Sequence, residues 1–548
     1  MSDSHETTAA PPGSTARILA LVALVVVMAL AAFLRVTATR FHSYFDDDEA
    51  DYAMAMSHGA TANYLGTKER PGYAVFLDTY REYRETGSAH PWKRDMAAGD
   101  VAAFRHMHPP LGLLPAGVLM SHGVRAEGVL RGWPLILGMF ACIPVFAAVW
   151  LGTPIRGTRL GLVAGVCAAW FLALSQDHAV VSAHFGFHAA FSLLLSLTLL
   201  CTMWVLRSVT RRLCFALGAL FGATMLTIEY WVLLVPIVAG ALLFAVPRAE
   251  GRAQTRLARL AWGVLGVFSA LVVLWPPFLL RGDFIKPAML FGWLLVKPVK
   301  HGSVNFAWYG DFMWHHLALF VVLVSALVLL VAYRRRSIFT RDSAPFVVYA
   351  ILFAILNLRV LHMKDLYAGQ VVPALAVLGA CWLAAATVRW PRRRLATVWG
   401  IVLICLAMQS VRAVQHSIEK YHAPRVWQST IATLQERYRC KAVFVSPRSA
   451  AAIFRYYLPT TDRIEPDSVE ESDHEAIQQA VLTARYDALF YVRSAARSEK
   501  DPPATIPKYS IPKEYSPLSP FPLDKQVVYV WELAAGADTK STKGVVSK

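Results

Sequence analysis

Five carboxylates fall within six residues in Phe45-Asp46-Asp47-Asp48-Glu49-Ala50-Asp51-Tyr52, directly after the first long apolar run, Ile18 to Leu34. Crowded like charges raise the pKa of at least one member and hold a base ready near neutral pH. Such a carboxylate can turn a hydroxyl into a nucleophile by taking its proton. Acids are costly in hydrocarbon, so the cluster belongs where water begins, at a membrane face. The plainer reading of an acidic run is a hydrated loop.

A second set of residues suits anions. Arg359-Val-Leu-His362-Met-Lys364-Asp365 forms a short basic loop between apolar runs, and Lys286, Lys297, Lys300 and His301 lie in a longer one. Arg and Lys donate charge-assisted hydrogen bonds to phosphate; anchoring to lipid headgroups is the alternative. His184 and His188 are spaced i, i+4 and form a possible metal pair, with no third ligand evident.

The elements that must position these groups are membrane helices. The chain has 548 residues, 56% of them hydrophobic, with a mean hydropathy of +0.43 and a net charge of +17. That is too apolar for a soluble multidomain enzyme. The basic residues are mostly Arg beside apolar runs, which speaks for positive-inside topology and against nucleic-acid binding. Six of the seven cysteines lie in apolar runs, and no CxxC or zinc-type spacing occurs.

In chain order, residues 1–17 read as a disordered cytoplasmic tail, and Ile18 to Leu34 as an uncleaved first helix. Residues 35–131 contain no apolar span long enough to cross and read as a long first external loop. Glu49 to Ser57 reads as a helix with Asp46 to Asp48 at its N-terminus, where the macrodipole favours negative charge. Gly112 to Met120 reads as a short interfacial helix. Further apolar runs follow at about 132–151, 160–176, 185–206, 213–228, 230–246, 260–280, 314–333, 344–358, 366–389 and 395–411, for roughly eleven crossings. Arg clusters mark every second loop, which puts the N-terminus in the cytoplasm and the acidic cluster and C-terminus outside. Residues 412–535 alternate helix and strand periodicities and read as a small extracytoplasmic α/β domain, with a disordered tail over 536–548. The fold class expected is thus a mainly α polytopic membrane bundle carrying a small α/β domain.

Several motifs occur in an order that resembles one family. Asp48-Glu49-Ala50-Asp51-Tyr52 after the first helix, His108-Pro109-Pro110-Leu111 in the same loop, Arg131-Gly132-Trp133-Pro134, the aromatic stretch His301 to His315, and Lys364-Asp365-Leu366-Tyr367 leading to Val372-Pro373-Ala374 are similar to the signatures of GT-C membrane glycosyltransferases. The branch resembled is the dolichyl-phosphate-mannose protein mannosyltransferases, which includes lipid A aminoarabinose transferases. The likeness covers about residues 18 to 390. Two departures stand out. Many relatives carry an acid in the second external loop, where this chain has Ser182-Ala183-His184-Phe185-Gly186-Phe187-His188, and many have Thr-Lys where it has Thr227-Ile228-Glu229.

The resemblance implies transfer of a sugar from a polyprenyl-phosphate donor to a glycan, lipid or protein acceptor outside the cytoplasm, in the cell's inner or plasma membrane. Asp48 is then the base and Glu49 its aid; Tyr52, His108, Lys297, Arg359, His362 and Lys364 bind substrates. No cofactor is certain, and a divalent metal is possible. Two other classes compete: a transporter of a phosphorylated or anionic solute, which would more often show paired broken helices at midplane, and a membrane-anchored binding protein acting through the C-terminal domain.

Overall fold

The computed structural model describes residues 13–38, 45, 47–57, 70–87, 106–152, 155–245, 255–296, 310, 312–314, 316–332, 340–357, 365–422, 426–438, 441–445, 453, 456–457, 462–464, 471–483, 486–494, 506, 508–519, 521–523 and 526–533. They form two compact units: Met1–His42 with His58–His422, and Ser43–Ser57 with Ala423–Lys548.

The first unit is helical. Among the described residues, five helices are long and apolar enough to cross a membrane: Ser14–Thr37, Glu127–Trp150, His188–Arg207, Arg256–Leu274 and Arg392–Glu419. Arg159–Leu174 and Gln176–Ala183 form a sixth candidate bent by 67°. The bend falls at Ser175, whose hydroxyl accepts from the His178 N–H and so restarts the helix. Glu229–Phe244, Leu317–Ala332, Ala344–Leu356 and Val372–Thr387 are apolar but shorter. A 16-residue helix spans only about 24 Å, short of the ~30 Å hydrocarbon layer. Every apolar run expected to cross is thus largely helical, but not every one reaches crossing length. The last helix continues to His422, past the expected end at 411.

The first loop holds more structure than the sequence pattern foretold. Leu114–Ser121 is the expected short helix. A second helix, Gly72–Thr86, is amphipathic in an unusual sense: Tyr73, Phe76, Leu77, Tyr80 and Tyr83 are exposed, while Val75 is buried.

The second unit carries a six-stranded sheet, β1 Lys441–Val445, β2 Asp462–Ile464, β3 Ala488–Ser494, β4 Tyr515–Pro517, β5 Phe521–Leu523 and β6 Gln526–Leu533. The order is β2-β1-β3-β6-β4, with β5 also on β6. β1 pairs parallel with β2 and β3, and β6 runs antiparallel to β3. Parallel strands need a crossover, and helix Glu471–Leu482 lies in the one that leads from β2 to β3, the two neighbours of β1. Register places Ala442 beside Leu489 and Leu489 beside Trp531, and Phe444 beside Tyr491 and Tyr491 beside Tyr529. These residues form one buried face. The alternate residues Val443, Phe490 and Val530 are buried as well, and Phe490 meets Tyr438 at 5.4 Å between rings. A sheet covered on both faces gives such unbroken apolar strands.

Candidate active site

The acidic motif folds as the helix Asp47–Met56 in the second unit. Glu49, Tyr52, Ala53 and Met56 are buried, and their i, i+3, i+4, i+7 spacing makes one helical face. A hydrated loop would not bury a carboxylate at 3% exposure. Phe45, wholly buried just before the helix, donates its backbone N–H to the Tyr457 hydroxyl at 2.5 Å. Asp48 is the second residue of the helix; its side chain, like Lys297, Arg359, His362 and Lys364, lies outside the described residues.

His108 is built into the first unit. The Leu111 N–H donates to the Leu226 carbonyl at 2.8 Å, and Gly112 lies against Phe187, where a Cβ would come within 2.4 Å of its Cα. Only glycine allows that approach. The segment so pinned brings His108 Nδ1 to 2.9 Å from Glu229 Oε2, with both side chains buried. This bond fixes the orientation of the ring. Glu229 is thus the partner of the histidine in the Pro-Pro motif. Sequence reading missed this pairing across 121 positions; the available signal was an acid alone in an apolar stretch.

A closed circuit of rings surrounds this pair. His108 meets Phe187 at 4.6 Å, Phe187 meets His188 at 4.9 Å, His188 meets Tyr367 at 5.6 Å, and Tyr367 stacks on Tyr230 at 5.5 Å. Tyr230 follows Glu229, which closes the circuit. Four stretches singled out by sequence therefore converge: the Pro-Pro motif, the second-loop histidines, Glu229-Tyr230 and the Tyr of Lys364-Asp365-Leu366-Tyr367. The ring of His184 lies 6.4 Å from that of His188, and Gln370 Nε2 donates to His188 Nδ1 at 2.9 Å. Among the described residues no three His, Cys, Asp or Glu side chains gather as a metal-binding group.

Beside the Pro-Pro motif lies a small, partly open pocket lined by His106 to Pro110, Trp275, Phe278 and Asp283. Asp283 Oδ1 accepts from the Gly72 N–H at 3.0 Å and faces Lys286 Nζ at 3.2 Å; Arg281 Nε lies 3.5 Å from Oδ2. Gly72 makes this possible, since a Cβ there would come within 2.1 Å of the Gly282 carbonyl oxygen. Burial pushes the Asp283 carboxyl up to about 6, against the pull of Arg281, the Gly72 N–H and His106. Burial also brings the Lys286 ammonium down to about 7. Arg281, Lys286 and His106 thus act on one carboxylate, a setting in which an anionic group finds polar donors. Arg281 and Asp283 were not expected as site residues; Lys286 was noted only as part of a basic loop.

Deeper in the helices, Arg35 is fully buried. It donates to His178 Nδ1 at 2.6 Å and to the Ala31 and Ala173 carbonyls. With Nδ1 accepting, His178 Nε2 donates to the Ser192 hydroxyl at 2.9 Å. His316 Nδ1 donates to the Phe312 carbonyl, so Nε2 accepts from Ser175, the residue at the helix bend. These bonds satisfy polar groups that hydrocarbon would leave unpaired.

An N-terminal helix, a structured loop, a helical bundle and a terminal α/β domain follow one another in this order, and the same fold is found in solved membrane transferases. The particular structure it resembles is ArnT from Cupriavidus metallidurans bound to undecaprenyl phosphate, with a TM-score of 0.57 at 14% identity over 94% of this chain and 98% of that one. The apo form of the same protein gives 0.56 at 13% identity with the same coverage. The Archaeoglobus fulgidus oligosaccharyltransferase in its apo form gives 0.50 at 11% identity, covering 87% of this chain and 69% of that one. No protein-family model and no curated protein sequence matches the chain.

Proposed function

We propose that this protein is an integral membrane glycosyltransferase that moves a sugar from a polyprenyl-phosphate donor to an acceptor on the extracytoplasmic face. The observation that carries the proposal is the ArnT-like fold along 94% of the chain, with the acidic and Pro-Pro motifs in family order. In this reading roughly eleven crossings, some of them by short or bent helices, put the N-terminus in the cytoplasm. The acidic motif and the C-terminal domain are then outside, in a cell inner or plasma membrane.

The acceptor is a hydroxyl. Asp48 takes its proton as the oxygen attacks the anomeric carbon, and the bond from that carbon to the phosphate oxygen breaks. Glu49 assists the base and Tyr52 holds the acceptor. The departing lipid phosphate carries negative charge, and cationic donors aimed at it lower the barrier. His108, oriented by Glu229, and the Arg281–Lys286 pair are the donors the pocket supports. Lys297, Arg359, His362 and Lys364 are proposed as further phosphate ligands. The acceptor is a glycan, a lipid or a protein.

The test is transfer of label. The membrane-embedded protein is incubated with a series of radiolabelled polyprenyl-phosphate sugars and envelope acceptors. Movement of one sugar to one acceptor, lost in Asp48→Asn, supports the proposal. Binding of the donor with no transfer from any member of the series would overturn it.

A further inference from the structure

The proposed reaction uses no side chain of the C-terminal α/β domain, yet the acidic motif is folded on that domain. The contacts run in sequence. Phe490 of β3 packs on Tyr438, at the end of helix Val426–Arg437. Gln435 of that helix donates from Nε2 to the Tyr457 carbonyl at 2.6 Å. Tyr457 accepts the Phe45 N–H at its hydroxyl, and the Tyr456 ring lies 5.5 Å from that of Phe45. The rings of Tyr456 and Tyr457 meet edge-on at 4.9 Å. Phe45 is 0% exposed and stands three residues before Asp48.

We propose that Tyr457 is a positioning residue for the transfer reaction, and that the C-terminal domain acts through it. Its hydroxyl and the Tyr456 ring fix Phe45, and Phe45 fixes where the motif helix begins. The proposal rests on the reading of Asp48 as the base. A displacement of about 1 Å at a reacting group can cost ~100-fold in rate, so a tether at the start of a ten-residue helix bears on chemistry directly. A domain serving only to bind a partner would leave the rate indifferent to this hydroxyl.

The test is Tyr457→Phe in the full-length protein, which removes one oxygen and keeps the ring. Amide exchange around Phe45 should quicken about tenfold while exchange in β1 stays unchanged. The turnover number should fall about three- to tenfold, the effect of one hydrogen bond, with the donor KM unaltered. A general loss of structure would hasten exchange in β1 too, and that result would overturn the proposal, as would a wild-type turnover number. Asp48→Asn measured alongside separates the two readings. Full activity in Asp48→Asn with a slowed Tyr457→Phe removes the base and keeps the tether. A slowed Asp48→Asn with an unaffected Tyr457→Phe removes the tether and keeps the base. Should Tyr457→Phe fail to accumulate, Gln435→Met, which deletes the donor to the Tyr457 carbonyl, is judged by the same outcomes.

Discussion

Two stretches of one loop meet different fates. The acidic motif at 45–56 packs with the C-terminal α/β unit, whereas the Pro-Pro motif at 108–111 packs into the helical unit, some fifty residues later. The first is held by a neutral hydroxyl at its edge, the Tyr457 to Phe45 bond. The second is held by an ionisable pair at its centre, His108 with Glu229. Their side chains differ in the same way, a run of carboxylates in one and a histidine beside two prolines in the other. A single loop thus supplies an acid-rich element to one unit and a base-rich element to the other.

The largest test of this division is Asp48→Asn. It keeps the shape and removes the basicity, so turnover should fall by about 10²–10⁴-fold, with donor binding near normal. Asp46→Asn, two residues before the proposed base, should cost much less. The reverse order in a rate assay would shift the base by two residues. Near-wild-type rates in every Asp→Asn variant of the run and in Glu49→Gln would dissolve the acid half of the comparison.

Glu229→Gln comes next. It takes from His108 the carboxylate that Nδ1 bonds, and loss of a hydrogen bond to a carboxylate costs about 1.5–3 kcal/mol, or about ten- to a hundredfold in donor use. His108→Ala should cost a similar amount, and the double variant little more, because the two act as one unit. Additive losses in a donor titration would mean that the pair does not work together. Arg359→Ala and Lys364→Ala should each weaken donor use by about the same factor. Unchanged donor kinetics in both would take the last short loop out of the site.

The smallest effect expected is a pH dependence. Lys286, brought down to about 7, is charged below that value and loses its proton above it, while Asp283 is ionised above about 6. The pocket therefore becomes less positive from pH 6 to pH 8, and the donor KM should rise across that window, about three- to tenfold. Lys286→Arg keeps its charge throughout and should flatten the profile. A profile equally steep in Lys286→Arg would assign the titration to another group.

Local patterns made much of the architecture legible. The runs that became Ser14–Ala38, His188–Arg207 and Arg256–Leu274 are apolar over the length of a membrane crossing. Strands β1, β3 and β6 and helices Val426–Arg437 and Glu471–Leu482 follow their periodicities to within a few residues. Strands β2, β4 and β5, three residues each, are too short to leave a period. Helix Gly72–Thr86 was missed although Tyr73, Phe76, Leu77 and Tyr80 hold an i, i+3, i+4, i+7 spacing, because the polar residues between them leave no continuous apolar run.

The site divides along the same line. Residue types and motif order were enough to single out Asp48, Glu49, Tyr52 and His108, since carboxylates and histidines carry their chemistry in their side chains. Only the tertiary structure decided which groups meet. Glu229 answers His108 from 121 residues away, Asp283 answers the Gly72 N–H from 211, and Tyr457 answers Phe45 from 412. No local period encodes these pairings, because each depends on close approach of backbones at Gly112 or Gly72, or on a domain folded far along the chain. Burial then set the charges: the sequence placed an aspartate and a lysine three residues apart, and enclosure moved them to about 6 and about 7 by withdrawing the water that favours their ionised forms.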